Sequence, residues 1–125
     1  MGGAIIALML VAQAAQQSDR WVSVVQTTEQ TDYIDARTIQ IEGDRRIFWD
    51  RAVYTRPRAD RIASQLFHVE MDCGRRTQAL LGGTDYDQSG RVVESHDIAD
   101  PQFSSVIPDS RGERLLETVC GLHSN

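Results

Sequence analysis

The sequence predicts an α+β domain: an antiparallel sheet of about six strands with one C-terminal helix packed on it. Three observations carry that expectation. From Trp21 onward, short β-branched and aromatic runs alternate with Gly, Pro, Asp and Ser turn chemistry. The stretch Ile62 to Cys73 alternates apolar and polar residues with period two, the signature of a half-buried antiparallel strand. Helical spacing of apolar residues then occurs once in this part of the chain, after Ser110.

Taken in order, Trp21 to Thr27 (WVSVVQT) is rich in strand-forming residues. Thr31 to Asp35 is a short second strand, and Asp35-Ala36-Arg37 turns into Thr38 to Glu42. Gly43-Asp44 marks a tight turn before Arg46 to Thr55. In that strand Phe48 and Tyr54 share a face with Asp50 and Ala52, while Ile47, Trp49 and Val53 share one with Arg51. Neither face is cleanly apolar, so the Arg-rich loop that follows, Arg56 to Arg61, is expected to cover one of them. In Ile62 to Cys73, Phe67, Val69, Met71 and Cys73 face the core, and His68, Glu70 and Asp72 face away. Arg76 to Thr84 is the next strand, and its Gly82-Gly83 pair suggests a bulge or bend. Gln88-Ser89-Gly90 turns into the last strand, Arg91 to Ser95. Asp97 to Asp109 reads as loop because of Pro101 and Pro108. Ser110-Arg111-Gly112-Glu113 is a capping box, and Leu115, Leu116, Val119 and Cys120 form one apolar stripe that Gly121 ends.

The first residues read as an address rather than as fold. Ala4 to Ala12 (AIIALMLVA) is a signal-peptide-sized apolar run, far short of the ~20 residues that span a bilayer. Ala12-Gln13-Ala14 offers a small-residue cleavage site, although no Arg or Lys precedes the run. The expected division is a signal peptide over residues 1–14 and a single domain over 19–123. No Cys lies near the cleavage point, so no stable membrane anchor is expected after cleavage. The chain is 125 residues long, the size of one domain, and 41% apolar with 25% charged residues, ordinary for a soluble globular chain. Its formal net charge of −5 argues against a nucleic-acid partner, which needs a basic face to displace counterions. Every basic residue other than His is Arg.

Both cysteines fall on core-directed faces, Cys73 at a strand end and Cys120 in the last helical turn. In an exported protein the simplest use is a Cys73–Cys120 disulfide pinning helix to sheet. Two buried free thiols are the alternative. Zinc is disfavoured: Cys120-Gly121-Leu122-His123 is a C-x-x-H, but His68 lies on the opposite strand face from Cys73, and structural zinc wants four converging ligands.

Other chemistry is thin. Asp85-Tyr86-Asp87-Gln88-Ser89-Gly90 imitates half of a calcium loop, but the twelfth position is His96 instead of Glu, so a surface hairpin fits better. His68-Val69-Glu70 lacks the P-C-x-x-C that a zinc deaminase adds to H-x-E. No nucleophile elbow, phosphate loop or H-E-x-x-H occurs, so neither catalytic residues nor a cofactor nor a metal is expected. Trp21 and Trp49 sit within strand patterns and are expected in the core. The basic cluster Arg56, Arg58 and Arg61 is a candidate binding site, suited to an anion or an acidic partner surface, with the Asp97 to Asp109 loop as a further candidate contact and a plain solvated surface as the alternative.

The order of landmarks carries a resemblance. Trp21 opens the first strand, and Tyr33-Ile34-Asp35 follows. Then come the Trp49 strand with Tyr54, Cys73, Tyr86-Asp87 with Gly90-Arg91-Val92-Val93, a Pro-containing loop, and a helix ending in Cys120. From about Trp21 to Cys120 the chain resembles the surface-adhesin protein E family of small exported bacterial domains. That resemblance implies the same sheet-plus-helix fold, with the helix disulfide-tied to a strand. It also implies binding rather than catalysis, since the founding adhesin is lipid-anchored on the outer surface and engages host matrix and serum proteins. This sequence departs from it in having no lipobox cysteine. The functional expectation is a non-enzymatic exported domain that binds a protein or small ligand at the cell envelope or surface. The runner-up is a periplasmic accessory or small-molecule-binding domain with no adhesion role.

Overall fold

A computed structural model describes residues 20–123. The signal peptide expected over residues 1–14 lies outside the described residues. The strands are β1 (Trp21–Gln26), β2 (Gln30–Asp35), β3 (Gln40–Glu42), β4 (Arg45–Tyr54), β5 (Ser64–Asp72), β6 (Thr77–Tyr86), β7 (Val92–Asp97) and β8 (Ser104–Ser105), and the helix is α1 (Arg111–Cys120).

All pairings are antiparallel, and the spine of the sheet runs β1-β2-β4-β5-β6-β7. The two remaining strands share edges with their neighbours. Along one edge of β4, β3 takes Arg45 to Ile47 and β2 takes Asp50 to Tyr54. Along one edge of β6, β8 takes Thr77 and Gln78, and β7 takes Gly82 to Tyr86. Eight strands therefore occupy a sheet six positions wide, as the sequence leads one to expect. The Gly82-Gly83 irregularity is a bulge: His68 pairs with Gly82 while Val69 pairs with Leu80, so Leu81 is the extra residue.

The core lies between one sheet face and α1. Val25, Ile34, Phe48, Val69 and Met71 from the sheet pack with Leu115, Leu116 and Val119 from the helix. Val106 joins them, and here the segment read as plain loop departs from expectation. Val106 donates its N–H to the Arg76 carbonyl at 2.9 Å and is buried beside β8. The flanking Pro101 and Pro108 hide it from a reading of the sequence. The tryptophans also differ from expectation, since both are only half-buried. Trp49 alternates away from Phe48 onto the sheet face that α1 leaves uncovered, where it stacks on His68 at 4.2 Å. Trp21 lies under the Arg51 guanidinium, 4.6 Å from the ring centroid. Nor does the Arg56 to Arg61 loop cover β4. The terminal helix does.

The helix is tied to the sheet at both ends. Ser110 caps its first turn, accepting the Glu113 N–H at 3.2 Å. Glu113 returns the bond one residue earlier than a strict capping box, accepting from the Asp109 N–H at 3.2 Å. The last turn of α1 has no basic residue of its own. Arg46 of β4 supplies the missing cation from below: its Nε donates to the Val119 carbonyl at 2.9 Å and its Nη2 to the Leu122 carbonyl at 2.8 Å. Beside it a disulfide joins Cys73 to Cys120, with Cα atoms 5.8 Å apart. Gly74 lets this corner close, because a Cβ there would meet Asp44 Oδ2 at 2.6 Å.

The disulfide closes a loop of 47 residues, which in the chain-entropy model stabilises by about 4 kcal/mol. The C73S/C120S double variant is therefore expected to lose about 4 kcal/mol in urea denaturation, and the wild type to lose the same amount in reductant. A loss below about 1 kcal/mol would show that packing and Arg46 dock the helix without the covalent link.

Candidate functional site

Alternation along β4 places Arg46, Phe48, Asp50 and Ala52 on the face towards α1, and all four are buried. Phe48 belongs to the apolar core. Asp50 lies at its boundary, where the first residue of the helix, Arg111, reaches down to the sheet. Arg111 Nη1 bonds Asp50 Oδ2 at 3.0 Å and also bonds Asp32 Oδ2, on β2. Asp32 Oδ1 accepts from Gln30 Nε2 at 2.8 Å. Two carboxylates thus share one guanidinium, with Asp32 and Asp50 almost wholly buried and Arg111 partly exposed. Asp50 Oδ1 is buried and has no hydrogen-bond partner among the described residues. Burial, then the hydrogen bond and charge of Asp32, push the Asp50 carboxyl up to about 8 against the pull of Arg111.

Farther along the same sheet a second polar group surrounds Gln65 of β5. Its Oε1 accepts from the Tyr54 hydroxyl and from Arg58 Nη1 at 2.9 Å, and its Nε2 donates to Asp85 Oδ1 at 2.8 Å. Arg58 also bonds Asp60 at 2.8 Å and lies 5.7 Å from the Tyr54 ring centroid. Backbone bonds from Arg58 to Ile62 at 2.9 Å and from Arg61 to Arg58 at 2.8 Å hold the loop in one shape. Arg61 adopts a left-handed φ of 68° to complete it.

The three arginines expected to form a binding cluster are therefore unequal. Arg58 is the loop's internal anchor. Arg56 and Arg61 are exposed, and their guanidinium groups make no hydrogen bond or ion pair among the described residues. The loop stands between two open clefts, one of about 440 Å³ beside Gln30, Tyr54 and Arg56, and one of about 430 Å³ beside Arg61, Asp87 and Ser89.

The half-calcium-loop motif is a hairpin turn. Asp87 Oδ1 accepts from the Ser89 and Arg91 N–H groups at 2.9 and 3.0 Å and from the Ser89 hydroxyl at 2.7 Å, and Gly90 takes a φ of 87°. Among the described residues, no group of three or more His, Cys, Asp or Glu side chains is arranged to hold a metal. The buried pair Asp32 and Asp50 was missed as a site by sequence reasoning, although a signal existed: an acid sits mid-strand on the face that carries Phe48.

A family model described as surface-adhesin protein E matches residues 21–121. Solved structures of Haemophilus influenzae protein E share the fold. One crystal form superposes with a TM-score of 0.61 at 16% identity, covering 82% of this chain and 87% of that one. A structure from a non-typeable strain gives a TM-score of 0.57 at 16% identity, covering 82% and 76%. No curated protein matches in sequence.

The raised Asp50 group sets a pH dependence. An unfolded Asp releases its proton near pH ~4, so the folded state binds a proton that the unfolded chain has lost, and stability falls as pH rises from there. That fall continues until Asp50 ionises at about 8. Urea denaturation at a series of pH values is expected to show a shallower decline in D50N than in wild type across this window. Carboxylates of opposite sign act in both proteins and cancel in the difference, as does Asp87, held down by Ser89 and the Arg91 N–H. Equal slopes would mean that Asp50 is ionised throughout.

Proposed function

The chain belongs to the surface-adhesin protein E family, and from that premise we propose that it is a non-enzymatic exported domain that acts by binding a partner at the cell envelope or surface. Export is directed by the leader over residues 1–14, which is then removed. The contact surface is the arginine loop, and the partner presents an acidic or anionic patch. One observation carries this: Arg56 and Arg61 extend from a loop that is already folded by its own hydrogen bonds, with no internal acid to satisfy them. In a chain of net charge −5, two unneutralised cations flanking concave surface form a local positive patch open to an external anion. The fixed loop reduces the ordering cost of association, and its charges steer the encounter.

A second reading, a periplasmic small-molecule-binding domain with no adhesion role, is favoured by a separate feature: an open cleft beside the N-terminus of α1, lined by Asp50, Phe67 and Leu115.

The test is retrieval of a partner from envelope and extracellular-matrix extracts by the purified protein. Replacing both free arginines, R56S/R61S, is expected to cut recovery about tenfold, and raising the salt concentration to do the same to wild type. Recovery that neither change affects would remove the arginine loop from the interface, and recovery of no partner at all would count against the adhesive role. Protease treatment of intact cells separates the two locations, since only surface-displayed protein is digested.

A further inference from the structure

The inner face of the sheet is only partly covered by α1. Beside the helix N-terminus an open cleft of about 390 Å³ runs over β4, β5 and β6, within the volume range of small-molecule sites. Its apolar walls include Phe67, Val69, Leu80 and Leu115, and its polar lining includes Gln78 and Gln102. Asp50 also lines it, and Asp50 Oδ1 is the buried oxygen with no partner.

The unmet need of that oxygen is specific. When Asp32 and Asp50 are both ionised, two carboxylates face one guanidinium and the cluster lacks one positive charge. Leaving a buried carboxylate oxygen bare costs several kcal/mol or forces the group to take up a proton. Below about pH 8 the group carries a proton that the neighbouring Asp32 carboxylate can share, and a cationic donor has to displace it. A cationic donor arriving through the cleft satisfies both charge and hydrogen bond. The described residues that face the cluster supply none beyond Arg111, and the chain contains no lysine at all.

We propose that this cleft binds a primary alkylammonium group, with the ammonium on Asp50 Oδ1 and a short aliphatic body against Phe67, Val69, Leu80 and Leu115. The site deepens the small-molecule reading above, and it stands or falls independently of the arginine loop. A free amine and a lysine side chain presented by another protein offer the same chemistry to it.

The experiment is an NMR titration of the ¹⁵N-labelled protein with three probes: n-butylammonium chloride, n-butanol as the neutral isostere, and Nα-acetyl-lysine N-methylamide. Butylammonium is expected to shift the amides of Phe67, Leu80, Gln102 and Leu115 saturably, with n-butanol at least tenfold weaker. D50N is expected to weaken butylammonium at least tenfold. L80W, which fills the cleft from its exposed side without touching the ion cluster, is expected to abolish those shifts, and it decides the matter if D50N fails to fold. Tighter binding of the lysine derivative than of butylammonium assigns the site to a lysine of a partner, and weaker binding assigns it to a free amine. Non-saturable shifts spread over surface carboxylates, equal affinity for butanol, or affinity unchanged in both variants would overturn the proposal.

Discussion

The architecture depends on how one short helix is held to one sheet. An isolated helix of ten residues is unstable in water, because nucleation costs more than so few turns return. Here α1 borrows its stability from the sheet at each end. Arg46 donates to the Val119 and Leu122 carbonyls, replacing the basic residue that the last turn lacks. Arg111 reaches the buried carboxylates Asp32 and Asp50, whose negative charge also suits a helix N-terminus. The Cys73–Cys120 bond fixes the distance between the Arg46 end and the end of β5. With both termini located, Leu115, Leu116 and Val119 have one way to lie on Phe48, Val69 and Met71.

The same clamp divides the inner face in two. Under the helix it is dry and apolar; beyond Arg111 it becomes a chain of amides, carboxylates and a phenol running from Asp32 and Asp50 to Gln65, Asp85 and Arg58. A face of this kind costs stability, because buried ionic pairs rarely repay their desolvation. The opposite face carries a different chemistry, with Trp49 flat on His68 and Arg51 over Trp21. Burial there pushes the His68 imidazole below its ordinary value, with Asp97 pulling the other way.

Much of this was legible in the sequence, and the failures have physical reasons. Period-two alternation located β5 and its inner face, because side-chain direction in a strand is set by the pleat, whereas in β4 neither face is cleanly apolar. The Ser110 cap and the Gly82-Gly83 bulge were readable because they depend on local backbone chemistry. The tryptophans were misplaced because size alone does not say which of two faces a helix will cover. Val106 was missed because Pro101 and Pro108 mark the whole segment as loop, whatever its apolar residues. Asp50 was visible as an oddity on the Phe48 face, but its partner Arg111 is 61 residues away, and no local rule brings them together. Arg56, Arg58 and Arg61 were recognisable as a cluster. That Arg58 folds the loop while Arg56 and Arg61 face outward required the positions of Gln65 and Asp60.

The position of α1 after every strand governs the order in which the fold can be completed. All the strands leave the ribosome before Leu115, Leu116 and Val119, yet those three residues are the lid of the core. A nascent chain lacking them carries an uncovered apolar sheet face and none of the helix's anchoring contacts. It has little to gain from closing early. The last element made is thus the one that closes the core and brings Arg111 to its two carboxylates.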